Sequence, residues 1–257
     1  MRILLIRHGD PDYENDTLTD KGCREANFLA KRAPSLHLGE CYMSPFGRAQ
    51  RTAKPCLEAV GCEAQTLEWL QEFPSGLDIN KAPELVAVYP DTEIEGKKYL
   101  PRIEWDMMPG YFTEHEEYMD KDAWKKSVVA QSSNMVEVYD KITSEFDALL
   151  AKHGYIRENG HYRVEKESTE TITFFCHFGL ICALLSHLWN VSPFILWQSF
   201  ALAPSSVTEL HTEEREQGVA YFRASKIGDV SHLYAGGEEP SFAARFCEVY
   251  SNKEQRH

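Results

Sequence analysis

Met1–Arg2–Ile3–Leu4–Leu5–Ile6–Arg7–His8–Gly9 opens the chain, and this stretch decides the fold. Four successive apolar β-formers, Ile3–Ile6, predict a short strand buried on both faces, as in a parallel sheet covered by helices. The strand runs straight into a cation, an imidazole and a glycine. Ligands of open α/β sheets bind beyond the carboxyl ends of the strands, so this tripeptide stands where chemistry is expected. Arginine presents a planar fork of donors that fits phosphate oxygens. Histidine supplies a ring nitrogen that can attack phosphorus or carry a proton. Glycine lets the backbone turn sharply beside a ligand.

The same design recurs late in the chain. Thr171–Cys176 is the most β-like run, and it ends in His177–Phe178–Gly179 before an apolar helix with Leu180, Ile181, Leu184, Leu185 and Leu188. Between the two, Glu40–Met43 reads as a strand leading into Ser44–Pro45–Phe46–Gly47–Arg48–Ala49–Gln50–Arg51–Thr52–Ala53. Arg48 and Arg51 are three apart at the start of a helix, either a solvated basic face or a second clamp for phosphate. A third strand is expected over Gln65–Leu70, followed by Gln71–Glu72–Phe73–Pro74. Leu18–Thr19–Asp20–Lys21–Gly22 opens a helix with Thr19 as N-cap and Cys23, Ala26, Leu29, Ala30 and Ala33 on its packed face, and Pro34 is expected to stop it.

From Ser75 to about Tyr118 no period persists. Pro83, Pro90, Pro101 and Pro109 interrupt a stretch rich in aromatics, which reads as a functional lid, an insertion or a packed surface excursion. Ala123–Ala151 predicts one long helix or two. Residues 155–170 predict a hairpin or loop, and the tail offers strands at Ser206–His211 and Val219–Ala224.

The chain has 257 residues, 43% of them hydrophobic and 12% aromatic, enough for one large domain or a core domain with an insertion. Its net charge of −13, from 27 basic against 40 acidic residues, argues against nucleic acid and anionic membrane as partners. An anionic substrate then needs a local cationic pocket. No leader peptide and no membrane-spanning stretch are expected. Seven cysteines without a C-x-x-C pair suit reduced thiols in a cytoplasmic protein rather than a zinc site. The oligomeric state is not legible.

Arg7–His8–Gly9, Leu18–Thr19–x–x–Gly22, Ser44–Pro45–x–x–Arg48–Ala49–x–x–Thr52–Ala53 and the late His177 before Gly179, in this order, resemble the histidine phosphatase superfamily, the phosphoglycerate-mutase-like fold. The motifs cover residues 1–73 and 171–233. The resemblance implies an α/β three-layer sandwich with a mostly parallel central sheet flanked by helices. It implies one domain over 1–257, with an insertion after the third strand forming a lid at about 75–130. It implies that His8 attacks the phosphoryl group, that Arg7, Arg48 and His177 hold its oxygens, and that His177 takes part in catalysis. It places the general acid at Glu72, with Glu68 as runner-up. The family often has Asn six residues after the nucleophile. Here that position is Glu14, with Asn15 one later, a departure from the family pattern in the substrate-side contacts of the first loop. Arg51 and His232 read as structural or peripheral, Ser44 as a cap or supporting donor, and His115 as part of a solvated acidic patch. No metal or organic cofactor is required.

The activity implied is hydrolysis of a phosphomonoester, of the acid histidine phosphatase type, on a small phosphorylated metabolite. A phosphoglycerate-type mutase is the nearest alternative. The resemblance disfavours it, because such mutases carry a longer first loop and an adjacent arginine pair in the insertion, whereas here nine residues separate His8 from Leu18 and residues 75–130 hold a single arginine, Arg102. A weakly active module that binds phosphorylated partners is the alternative from another class.

Overall fold

Ile3, Leu4, Leu5 and Ile6 are all fully buried in strand β1 (Arg2–Arg7), as a run of four β-formers requires when both sheet faces are covered. Each such side chain contributes up to about 1.5–3 kcal/mol by leaving water. The computed structural model describes residues 1–89, 94–95, 98–99, 102–242 and 249–252, and Pro90, Pro101 and Cys247 lie outside them. The chain divides into two units, one formed by Met1–Gln71, Lys166–Ile181 and Ala201–His257, the other by Glu72–Glu165 and Cys182–Phe200.

The first unit is α/β. Its strands β1, β2 (Glu40–Met43), β3 (Ala64–Thr66), β4 (Thr171–Cys176), β5 (Val207–Glu216) and β6 (Val219–Asp229) lie in the order β3-β2-β4-β1-β5-β6. The pairs β3/β2, β2/β4 and β4/β1 are parallel, and β1/β5 and β5/β6 are antiparallel. The sheet is therefore mixed, although β5 alone of these six runs against the rest. Helices α1 (Asp20–Leu36) and α2 (Gly47–Val60) cover one face, where Leu29, Ala33, Leu36, Ala53 and Cys56 pack with Leu4, Ile6 and Phe175. Helix α3 (Phe178–Trp189) follows β4.

Three expectations are corrected here. Pro34 lies inside α1, which ends two residues later at Leu36 and is capped by left-handed His37 (φ 51°). A proline in a last turn costs little, because the ladder it interrupts is about to end. The third strand is shorter than Gln65–Leu70. It lies at the edge shown by β3, and after Leu67 bonds Met43 (3.0 Å) the chain turns through Glu68–Leu70 in a 3₁₀ helix to bury Leu70. The tail strands are longer than expected, because their far halves are polar and carry no apolar period.

The second unit carries short 3₁₀ turns at Ile79–Lys81, Pro83–Ala87, Glu104–Asp106 and Glu116–Tyr118, and a helix at Pro109–Glu114. Instead of one or two helices over 123–151 there is a 3₁₀ turn at Ala123–Lys126, a single helical turn at Val128–Gln131 and a long helix at Met135–Lys152. Ser132–Ser133–Asn134 makes the break. The Ser133 hydroxyl donates to the Val129 carbonyl (3.0 Å), a bond that competes with continuing the helix. Tyr155–Glu158 and His161–Val164 form a hairpin whose turn residues Asn159 and Gly160 have φ of 48° and 86°. Trp124, Tyr118 and Phe194 are fully buried in this unit.

Candidate active site

The strand register brings the two histidines together. Arg7 on β1 pairs with Cys176 on β4, so the next residue of each strand, His8 and His177, leaves the same sheet edge at the same level. Their ring centroids are 5.1 Å apart. On the other side of β4, Met43 pairs with Phe175, which brings Ser44 alongside, and its hydroxyl lies 2.7 Å from His177 Nε2. Residues 169 positions apart in sequence thus meet because three parallel strands end in step.

His8 is 1% exposed. Its Nδ1 lies 2.7 Å from the Gly9 carbonyl. A carbonyl only accepts, so Nδ1 carries the proton. Burial, then the Arg7 guanidinium, hold the imidazole pKa well below its usual value; the Gly9 bond opposes this and Arg48 adds to it. The neutral ring therefore keeps its lone pair on Nε2, which is buried and has no hydrogen-bond partner among the described residues. His177 is likewise held well below the usual range by burial, then by His8, Arg48 and Arg7. Ser44 accepts the Phe46 N–H (3.2 Å) and can donate to His177 Nε2. In that arrangement His177 Nδ1–H is a free donor.

Arg7 and Arg48 supply the charge. Arg7 is 3% exposed, donates to the Leu202 carbonyl and lies over the Phe178 ring. Arg48 is buried on α2 over the Phe46 ring (4.7 Å), and Phe46 meets the His177 ring edge-on (5.3 Å). The α2 N-terminus is the candidate second anion clamp. Here the carboxylate of Asp16 takes that place, accepting from Gly47 N (2.6 Å) and from Arg48 Nη1 (2.7 Å). Asp16 stands in the first loop with φ 45°. No motif pointed to its part in aiming Arg48, because a loop aspartate has no sequence context of its own. Thr52, one turn below Arg48, accepts the Gly9 N–H (2.9 Å), which explains its place in the motif.

The Leu18–Thr19–x–x–Gly22 motif is explained too. The Thr19 hydroxyl caps α1 at Gly22 N (3.0 Å), and a Cβ on Gly22 would lie 2.2 Å from the Asp10 carbonyl. Only glycine lets the loop after the nucleophile lie this close to α1. One turn on, the fully buried Glu25 accepts the Asp10 N–H (2.7 Å). Burial, outweighing that bond, pushes its carboxyl up to about 7. A raised folded-state value makes folding favour the protonated acid. Stability then falls as pH rises from the unfolded value near 4.5 to about 7, and the loss is complete above that, at about 3 kcal/mol. Glu25→Gln should therefore unfold at a higher temperature than wild type at pH 8 and at the same temperature at pH 4. Thermal melts at both pH values check this, and an equal shift at both would contradict it.

The remaining expected residues are placed as follows. Glu72 is half-buried and begins the second unit. Glu68 is exposed in its 3₁₀ turn and accepts from Gln71 (3.2 Å). Arg51 is exposed and bonds Thr17 (3.2 Å). In the first loop Glu14 is exposed, and Asn15 turns back to Asp12 (2.8 Å). His232 bonds Ser205 (2.9 Å), whose N–H in turn donates to the His8 carbonyl (2.9 Å). His115 is half-buried rather than wholly solvated: its ring stacks on Tyr111 at 3.9 Å and Nδ1 meets the Tyr111 carbonyl at 2.8 Å. An adjacent aromatic one helical turn away offers a better surface than water. Among the described residues no helix is long and apolar enough to cross a membrane.

A buried, neutral histidine with Nε2 unpartnered among the described residues, a second histidine and two arginines together can hold an anion beside a nucleophilic nitrogen. Residues 3–99 match the Histidine phosphatase superfamily (branch 1), so the resemblance carried by the motifs holds over the stretch that contains His8 and Arg48. The probable phosphoglycerate mutase GpmB of Cronobacter sakazakii is 30% identical over 86 residues, 30% of this chain and 40% of that protein. The chain thus spans about two fifths of the length of the curated relative it matches. The fold is similar to the Entamoeba histolytica phosphoserine phosphatase in complex with 3-phosphoglyceric acid (TM-score 0.53, 17% identity, 90% of this chain and 98% of that one). It is also similar to the mycobacterial glucosyl-3-phosphoglycerate phosphatase with inorganic phosphate (TM-score 0.56, 17% identity, 90% and 98%).

Proposed function

We propose that the protein is a phosphomonoester hydrolase that works through phospho-His8. The observation that carries this is the His8 ring itself: Nδ1–H fixed on the Gly9 carbonyl, Nε2 free, and His177 beside it. In the first step the Nε2 lone pair attacks phosphorus and the bond to the leaving oxygen breaks. Glu72 gives that oxygen its proton. Arg7, Arg48 and His177 neutralise the phosphoryl oxygens, and most of the acceleration comes from this positioning and charge. Water then attacks phosphorus, its proton returns to Glu72, and the pair of the P–N bond goes back to Nε2. The substrate we propose is a small phosphorylated metabolite. Phosphoserine and 3-phosphoglycerate head the panel, because relatives of this fold are named for such compounds. We propose a cytoplasmic enzyme of the acid phosphatase type, requiring no metal or organic cofactor, with one domain over 1–257, a three-layer sandwich and residues 75–130 as its insertion.

Hydrolysis of p-nitrophenyl phosphate in the presence of a chelator tests the reading. Turnover is expected. Tight phosphate binding without turnover of any phosphoester would instead favour the binding module. The relative named as a probable phosphoglycerate mutase favours the second reading, transfer between hydroxyls. With 3-phosphoglycerate as substrate, the hydrolase releases inorganic phosphate, whereas a mutase would give 2-phosphoglycerate.

Two variants divide the machinery. Glu72→Gln should lower turnover of alkyl phosphates by about 10²-fold or more while changing p-nitrophenyl phosphate hydrolysis far less, since p-nitrophenolate leaves unaided. An equal loss on both would remove Glu72 from the role, and the same pattern from Glu68→Gln would move the role there. Trp105 packs on Trp197 at 4.9 Å in the second unit. Trp105→Ala, which loosens the 75–130 segment, should shift kcat/KM for bulky phosphoesters by about tenfold relative to p-nitrophenyl phosphate. Equal losses would count against a specificity role.

A further inference from the structure

We propose that Cys41 and Cys62 are a modification site, forming a reversible intrachain disulfide when the protein meets a low-molecular-weight disulfide such as oxidised glutathione. The proposal rests on sulfur geometry and is independent of the phosphatase reading.

The two sulfurs lie 3.9 Å apart. Backbone pairing puts them there. Cys41 on β2 pairs with Ala64 on β3, and Cys62 stands two residues before Ala64, just past Gly61, the left-handed end of α2 (φ 70°). Bonding at about 2.05 Å then needs the two sulfurs to close by about 2 Å. The pair is also asymmetric in exposure. Cys62 is half-buried, so a small disulfide can reach it, whereas Cys41 is 3% exposed with its thiol toward the Gly39 carbonyl (3.5 Å). Burial, then the neighbouring Cys62, push the Cys41 thiol up to about 12. Exposure therefore makes Cys62 the thiol that meets the oxidant, and its 3.9 Å proximity makes Cys41 the one that resolves, slowly, because a thiol raised this far is seldom ionised. Cys56 is fully buried on α2 with its thiol toward the Thr52 carbonyl (3.5 Å), which makes it the control.

In the first step the Cys62 thiolate attacks one sulfur of oxidised glutathione, the glutathione S–S bond breaks, and one glutathione leaves. In the second step Cys41 gives up its proton and attacks the Cys62 sulfur, and the second glutathione leaves. Two protein thiols are oxidised and one small disulfide is reduced to two thiols. The closed loop, 41–62, contains Ser44, Arg48 and Thr52 together with α2. Pinning both of its ends removes freedom from the unfolded chain, and the oxidised protein should melt about 5 °C higher than the reduced protein.

The test incubates the full-length protein with oxidised glutathione at pH 8, blocks remaining thiols with an alkylating reagent, and maps peptides by mass spectrometry. The expected product is a linked Cys41–Cys62 peptide pair that dithiothreitol reverses. Cys56→Ser should form the same pair. Cys62→Ser, at a half-buried position, should leave Cys41 reduced and alkylatable after unfolding, and Cys41→Ser should hold glutathione on Cys62. A glutathione adduct that persists on Cys62 of the wild-type protein, a link from Cys62 to Cys56, or a Cys62 that stays reduced would each overturn the proposal.

Discussion

His8→Ala is expected to lose at least about 10³-fold in kcat/KM for p-nitrophenyl phosphate, the largest effect of any substitution considered. The variant keeps Arg7, Arg48 and His177, so it should still bind inorganic phosphate, and the loss should fall on turnover. The reason lies in the ring's two nitrogens. The Gly9 carbonyl takes the Nδ1 proton, and burial with Arg7 keeps a second proton off Nε2. No other described group at this sheet edge combines a free lone pair with a neutral buried ring, except His177. His177 has one nitrogen engaged by Ser44. Phosphate inhibition constants for the wild type and the variant separate loss of chemistry from loss of fold. Activity that survives in His8→Ala would move the nucleophile elsewhere.

Arg48→Ala should cost about 10²–10³-fold, and Arg48→Lys should recover only part of it. Arg48 is fixed on three sides by Asp16, Phe46 and its own helix, so its fork is aimed before an anion arrives. Lysine offers one point charge on a flexible stem and cannot bond Asp16 and a phosphoryl oxygen with the same planar group. In a chain of net charge −13 the missing guanidinium also removes attraction that the surface does not replace. Both KM and the inhibition constant for phosphate should rise. A variant with normal phosphate inhibition would show that Arg48 does not face the anion.

The strand-end histidines were legible because a buried strand leaves an unmistakable apolar run, and β1 and β4 both end such runs. That they touch follows from register, which a single sequence does not print. Arg48 was legible as part of a spaced motif. Asp16 was not, because its contribution comes from a left-handed loop residue folding back on α2. Glu25 was hidden for another reason: a glutamate on a helix face reads as solvated, and the close approach of the Asp10 loop, with Ser241 beside it, is not printed in the sequence. The edge strand β3 and the broken helix at Ser132–Asn134 show local chemistry overriding an apolar period. The irregular 75–118 stretch gave no period to read, and its short 3₁₀ turns account for that.

The most direct test of the central claim is to mix the protein with p-nitrophenyl phosphate, quench in alkali, which preserves phosphohistidine, and map the phosphorylated peptide by mass spectrometry. The predicted result is one transient phosphoryl group on His8, formed and lost at rates that account for turnover. Steady turnover with no phosphorylated His8 peptide, or with the phosphoryl group on His177, would contradict it.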